Sequence, residues 1–430
     1  MRLLYGRSGL ALRLPRSVVV LEGRDPPPLS DPRGAVRGAL DSPLGAPPLR
    51  DIVARRRPRR VAITISDITR PVPNRLLLPP ILELLDRAGV PGSAISVIVG
   101  TGMHRPSTPR EREELLGPEV LASAVAVHDH RASEPGTLVE VCADPTVRVN
   151  RRFVEADLRI VTGYIEPHFM AGFSGGRKGV CPALTDLKTI ERFHSYRTLA
   201  HPAARSGVLD GNPCHEIALD VARRVGVDLL LNVALTRDRQ IAGVYCGELD
   251  AAHRAGCAEV ADWTTARLDG PFDMVVTSGG GHPLDQTFYQ CVKGQVEALP
   301  ALGPASTLLQ VAHCGEGLGS PSYADLLRRW GRRWREALAD LASRPDSAEL
   351  DQWELQMQCK VLERVGVEGL WLASDGLDQG DQRAIAVSPL LGAGDARARA
   401  QSAVDRFLAG HPGARVAVVP DGPYVMLARS

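Results

Sequence analysis

Six apolar runs of strand length, several closing on a polar or glycine-rich tail, constrain this chain more than any other feature. They are VAITISD (61–67), AISVIVGTG (94–102), DLRIVTGYI (157–165), VDLLLNVAL (227–235), DMVVTSGGG (273–281) and STLLQVAHCG (306–315). Unbroken apolar runs suit strands covered on both faces, and helical patterns such as RLLLPPILELLDRAG lie between several of them. The alternation predicts an α/β fold of largely parallel sheets flanked by helices. In such sheets ligands sit beyond the carboxyl ends of the strands, so function is expected in the tails.

A chain of 430 residues exceeds one ordinary core, and two lobes are expected. The Gly-Pro pair in RLDGPFD (267–273) marks the boundary. Residues 1–268 then form an N-terminal catalytic and cofactor-binding domain, residues 271–405 form a C-terminal α/β domain, and the active site is expected in the cleft between the two. The tail 408–430 has strand character in RVAVVPDGPYVML and is free to return to the first lobe. The proline-rich stretch 24–49 reads as an extended connection with short turns or one short helix.

With 51 basic and 50 acidic residues the net charge is +1, which argues against nucleic acid or an anionic membrane as the main partner. The opening residues alternate apolar and polar, as a strand and hairpin would, and no run reaches the ~18 apolar residues of a membrane span. The eight cysteines lie far apart without a Cys-x-x-Cys pair, as expected of reduced thiols in a cytoplasmic protein.

Four segments could carry chemistry. In SDITRP (66–71), Asp67 either caps a helix or serves a cleft in which Arg70 grips a carboxylate with its planar fork. In GTGMHRPS (100–107), glycines allow a sharp turn from which His104 projects, either as a satisfied polar residue or as an acid or base. In EPHFMAGFSGGRKGVCP (166–182), the small residues suit a phosphate cradle, although P-loop spacing is absent. Lys178 there is a phosphate ligand, a Schiff-base lysine or an attachment point. His194 and His201 follow without the tight spacing of a protein-only metal site. In TSGGGHPLDQTFYQCVKG (277–294), Gln290 and Lys293 share one helical face, exposed or turned to a ligand.

In this order, SDITRP, GTGMHRP, EPHFMAGFSGGRK, TIERFH and HPLDQTFYQCVKG resemble the LarA family of nickel-pincer lactate racemases and related 2-hydroxy-acid racemases and epimerases. The resemblance implies that Lys178 carries a covalently attached nickel pincer nucleotide, a pyridinium-3-thioamide-5-thiocarboxylic acid mononucleotide nickel complex. It makes His194 the protein ligand to nickel and puts Ser174, Gly175, Gly176, Asp67 and Trp353 about the cofactor. Asp67 is expected to orient a neighbour rather than react. His104 and His168 match the two catalytic histidines, which alternate as acid and base while the Cα hydride passes to the cofactor and a 2-oxo acid forms. Arg70, Gln290 and Lys293 would hold the substrate. The enzymes that make the cofactor are implied as partners.

Two departures from the family pattern stand out. Ala183 follows Pro182 where a proline-glycine turn is usual, and His282 precedes Pro283. Two other readings compete with a racemase: a non-catalytic protein that binds a carboxylate or phosphate metabolite, and an enzyme using Lys178 as a Schiff base.

Overall fold

A computed structural model describes residues 1–429, which fold as two compact units. One comprises Asp25–Phe193 and Pro202–Asp262; the other comprises Met1–Arg24, His194–His201 and the chain from Trp263 onward. Both are α/β units with largely parallel sheets, as the apolar runs predict.

The Asp25–Asp262 unit is built on a six-stranded sheet. Its order is Ile241–Gly247, Leu229–Leu235, Leu158–Tyr164, Val61–Ser66, Ile95–Gly100 and Ala126–Asp129. Every pairing is parallel except that of the edge strand Ile241–Gly247, which runs antiparallel to its neighbour. Helices Pro32–Asp41, Asn74–Arg87 and Pro109–Leu121 cover one face. In the second of these, Leu77, Leu78, Ile81 and Leu85 recur at helical spacing and pack with Ile63, Ile65, Val97, Val99 and Ile160 of the strands. Three adjacent strands, Leu158–Tyr164, Val61–Ser66 and Ile95–Gly100, therefore end side by side. Their carboxyl ends lead directly into three of the four segments singled out above.

The other unit holds a six-stranded parallel sheet. Its order is Ser388–Pro389, Leu370–Ala373, Leu302–Val311, Phe272–Ser278, Val416–Val419 and Val19–Val20. The domain limits differ here from the sequence expectation. The tail strand Val416–Val419 pairs with Phe272–Ser278 near the middle of this sheet, so residues 408–430 do not return to the first lobe. Val19–Val20 pairs with that tail strand in turn, which brings the first 24 residues into the same unit. Residues 194–201 belong here as well, because Arg197 N–H donates to Pro345 O (2.9 Å) and Gln356 Nε2 donates to Tyr196 O (3.1 Å).

The strand order reverses between Phe272–Ser278 and Val416–Val419, the position at which such sheets usually leave a ligand crevice. Residues 4–6 fill it. Leu4 N–H donates to Pro420 O (3.0 Å), Ser278 Oγ donates to Leu4 O (2.5 Å) and Gly6 N–H donates to Asp285 Oδ2 (2.7 Å). The glycines of TSGGGHP thus admit the chain's own opening hairpin, Arg2–Leu3 against Leu10–Ala11. Among the described residues no helix is long and apolar enough to cross a membrane, and the eight cysteines are free thiols.

Candidate active site

Asp67 lies just past the strand Val61–Ser66 and folds SDITRP into a tight turn. Its Oδ1 accepts from Thr69 N–H (3.2 Å) and from Thr69 Oγ1 (2.6 Å), and its backbone oxygen accepts from Arg70 N–H (3.1 Å). The next helix begins only at Asn74 and is preceded by Pro73, so Asp67 caps no helix. Its Oδ2 lies 2.6 Å from His104 Nδ1. Burial opposes charge on Asp67, but the hydrogen bond and charge of His104, with help from Thr69 and Arg70, hold its pKa below the usual carboxylate value. An ionised Asp67 can only accept, so His104 carries its proton on Nδ1 and presents an Nε2 lone pair. The His104 side chain is 59% exposed, and its acceptor nitrogen is open to a ligand. Arg70 is half-buried one turn beyond Asp67.

His168 has the opposite polarity. Its Nδ1 accepts from Met170 N–H (3.3 Å) and Ala171 N–H (3.2 Å), which leaves the ring proton on Nε2. That nitrogen faces Lys178 Nζ at 3.2 Å. The two histidines therefore follow the strands on either side of Val61–Ser66 in complementary tautomers, one with an accepting and one with a donating Nε2.

The loop between His168 and Lys178 is held from behind. Arg177 is fully buried, and its fork donates to Ala171 O (2.6 Å) and Phe173 O (3.0 Å). Burial draws its pKa down to about 10, so the guanidinium stays charged at neutral pH. Ser174 ties the loop to the strand end: its Oγ donates to Tyr164 O (2.8 Å), and Glu166 N–H donates to Ser174 Oγ (2.9 Å). Gly176 N–H donates to Asn232 Oδ1 (2.7 Å). Gly175 and Gly176 have φ of +69° and +54°, and a Cβ on either would lie within 2.5 Å of Asn232 Oδ1 or the His253 ring respectively. The glycines press the loop onto Asn232 and His253, and Ser174 and Gly176 direct these polar groups into the protein rather than outward.

Lys178 is half-buried, with Nζ 5.2 Å from the Phe193 ring centroid. Among the described residues no carboxylate pairs with it. Burial, and then the charges of Arg177 and Arg70, lower its pKa to about 7. Ala183 sits at negative φ and needs no glycine, and Gly100 leaves room for its methyl, since a Cβ there would lie 2.9 Å away.

In the other unit, His194 packs its ring against Trp353 at 4.6 Å between centroids, with planes inclined by 33°. Trp353 is buried on the helix Gln352–Gly369, and its Nε1–H donates to Tyr289 Oη (2.7 Å). Tyr289 precedes Gln290 on the helix Phe288–Glu297, where Lys293 Nζ donates to Gln290 Oε1 (2.5 Å). One face of that helix thus carries both expected ligand-binding side chains. His282 is half-buried, its N–H bound to Gly6 O (2.9 Å). Among the described residues no three His, Cys, Asp or Glu side chains gather as a metal site, so the pairing of His194 with His201 does not make one. Sequence reasoning missed Asn232, His253 and Tyr289 and saw in Arg177 only a basic neighbour of Lys178.

Residues 5–207 match the family model described as the lactate racemase N-terminal domain, and residues 269–427 match the lactate racemase C-terminal domain. The chain belongs to the lactate racemase family. The lactate racemase of Thermoanaerobacterium thermosaccharolyticum is 30% identical over 98% of both chains, and that of Lactiplantibacillus plantarum is 33% identical over 76% of this chain and 77% of its own. The structure of the lactate racemase apoprotein from T. thermosaccharolyticum superposes with a TM-score of 0.87 at 29% identity, covering 100% of this chain and 99% of that one. A crystal structure of a Thermotoga maritima protein shares the fold alone, with a TM-score of 0.66 at 16% identity over 95% of this chain and 100% of that one. As a LarA-family member the chain is an isomerase of the racemase class, and the non-catalytic reading is set aside.

The residues present fit the nickel pincer nucleotide of this family. Among the described residues Lys178 is an amine without a carboxylate partner, suited to acylation, and a metal bound through one imidazole would need its other donors from outside the protein.

Proposed function

We propose that this enzyme racemises or epimerises a 2-hydroxy acid, lactate being the substrate for which its relatives are named. The observation that carries the reading is the complementary pair of imidazoles, His104 with its accepting Nε2 and His168 with its donating Nε2, beyond the carboxyl ends of the two strands that flank Val61–Ser66. When attached at Lys178, the nickel pincer nucleotide supplies an acceptor for the substrate's Cα hydride, with His194 as its protein ligand.

The protein's own groups handle the protons. His104 takes the hydroxyl proton at Nε2, and Asp67 stabilises the imidazolium that results. Loss of hydride from Cα leaves a planar 2-oxo acid, which can be reduced on either face. His168, charged by a proton taken up at Nδ1, then donates its Nε2 proton as the hydroxyl re-forms and returns to the neutral ring. In the opposite direction the roles exchange, and the long contacts from Met170 and Ala171 to Nδ1, 3.3 and 3.2 Å, give way to a proton there. Arg70 grips the substrate carboxylate, and Lys293 with Gln290 binds its oxygens. Trp353 fixes the plane of the His194 ring. The cofactor-making enzymes are the partners this reading requires.

The test is intact-mass and nickel analysis of protein co-expressed with those enzymes, with peptide mapping of residues 160–200 and polarimetry on single enantiomers of lactate. An adduct on Lys178, bound nickel and loss of optical rotation are expected; an unmodified Lys178 in active protein would overturn the proposal. The lowered pKa of Lys178 also suits a Schiff base, and borohydride trapping of substrate on Lys178 would favour that second reading.

A further inference from the structure

We propose that His168 holds Lys178 as an uncharged amine, so that in the cofactor-free chain this lysine is singled out for acylation. The inference rests on the reading of Lys178 as the attachment point and adds how the protein prepares it.

The argument is one of donors and acceptors. Two backbone N–H groups, of Met170 and Ala171, converge on His168 Nδ1, so that nitrogen presents a lone pair and the ring proton is on Nε2. Nε2 lies 3.2 Å from Lys178 Nζ. An ammonium has donors only, and two donors facing each other at that distance repel. A neutral amine has one lone pair, and Nε2–H donates to it. The surroundings favour the same state. The guanidinium of Arg177 is the adjoining residue, buried with its fork on loop carbonyls, and among the described residues no carboxylate pairs with Nζ. Burial first, and then the charges of Arg177 and Arg70, lower the pKa of Lys178 to about 7, and the His168 contact adds to these.

The same contact gives His168 two successive duties. Before attachment its Nε2–H holds the amine uncharged by donating to the Nζ lone pair, and this hydrogen bond opens as the lone pair forms the new N–C bond. Attachment would make that nitrogen part of a thioamide, whose lone pair is delocalised and accepts poorly. The Nε2–H is then released to serve a substrate oxygen.

The chain has four lysines, 178, 188, 293 and 360, which makes the test direct. Purified cofactor-free protein is treated at neutral pH with a trace of acetic anhydride, and acetylation of each lysine is followed by peptide mapping. The reaction forms an N–C bond at Nζ and breaks a C–O bond of the anhydride; acetate leaves and the amine proton passes to solvent. Exposed Lys188 is the internal reference, because an ordinary lysine is uncharged in only about one molecule in two thousand at neutral pH. Lys178 is expected to react about tenfold faster than Lys188 or more, despite being half-buried. In H168L the advantage is expected to fall, burial and the charges of Arg177 and Arg70 keeping the remainder, while H168Q, which retains an N–H donor, loses less. A wild-type Lys178 no faster than Lys188, or an unchanged ratio in H168L, would overturn the proposal. Circular dichroism checks the variants, and should H168L not fold, the wild-type ratio decides alone. The outcome is independent of the adduct analysis above: slow acetylation in a chain that nonetheless acquires the adduct removes this inference and leaves the cofactor reading intact.

Discussion

His104 Nδ1 stands 2.6 Å from Asp67 Oδ2, at the ends of two strands paired in register from Val61 and Ile95 to Ser66 and Gly100. The contact sets the imidazole tautomer and offers a counter-charge to the imidazolium. D67N retains the shape but takes away the obligatory acceptor. Its kcat is expected to fall by about a hundredfold or more while KM changes little, measured by polarimetry on cofactor-loaded enzyme.

Arg177 should matter for stability in proportion to the carbonyls it holds. R177M would leave buried Phe173 O without its Arg177 donor, at about 1–3 kcal/mol, and Ala171 O with only the Phe173 N–H (2.9 Å). A loss of about 2 kcal/mol in urea unfolding is expected, and R177K should recover little of it because an ammonium cannot span both oxygens.

The His194–Trp353–Tyr289 chain predicts a metal phenotype. Y289F deprives the buried Trp353 N–H of its acceptor and loosens the surface against which the His194 ring is seated. Nickel retention after dialysis should fall by about tenfold to a hundredfold, with the Lys178 adduct still present by mass.

Acid should destabilise the Asp25–Asp262 unit through three buried histidines. Burial lowers His130 and His215 to about 4 and His253 well below its ordinary value. In the unfolded chain each has a pKa of about 6.5, so between about pH 6.5 and pH 4 the unfolded state binds more protons. The stabilising contribution is complete above that window and declines as the pH falls through it. Thermal melts from about pH 7 to about pH 4 should show a falling Tm, with a shallower slope in H130Q, which keeps a donor to Thr185 O (2.9 Å).

K178M should separate function from stability. A methionine of similar length avoids burying an amine among Arg177, Arg70 and Phe193, so Tm should rise by about 2 °C while attachment is abolished.

The motifs at strand ends were legible in the sequence because each is a local event, an apolar run followed by a turn. What those motifs contact was not. Asp67 and His104 are 37 residues apart, and nothing in either segment says that one carboxylate oxygen faces the other ring. The glycines of the SGG loop look like a phosphate cradle in isolation; they pack on Asn232 and His253, which lie on elements far along the chain. Arg177 escaped notice because a buried arginine facing carbonyls and a histidine ring, with no carboxylate, is rare, and Tyr289 because its partner Trp353 is 64 residues away. The lobes were misdrawn for a similar reason: which strand a terminal segment joins is decided by pairing, and pairing has no local signature.

The closure of residues 4–6 over the ends of the strands Phe272–Ser278 and Val416–Val419 bears on how the chain emerges from the ribosome. The unit spanning residues 25–262 has all of its strands once Asp262 has been made, whereas the first 24 residues must wait for partners at Val418 and Pro420. The opening segment is therefore translated well before its partners and is among the last parts to find its place.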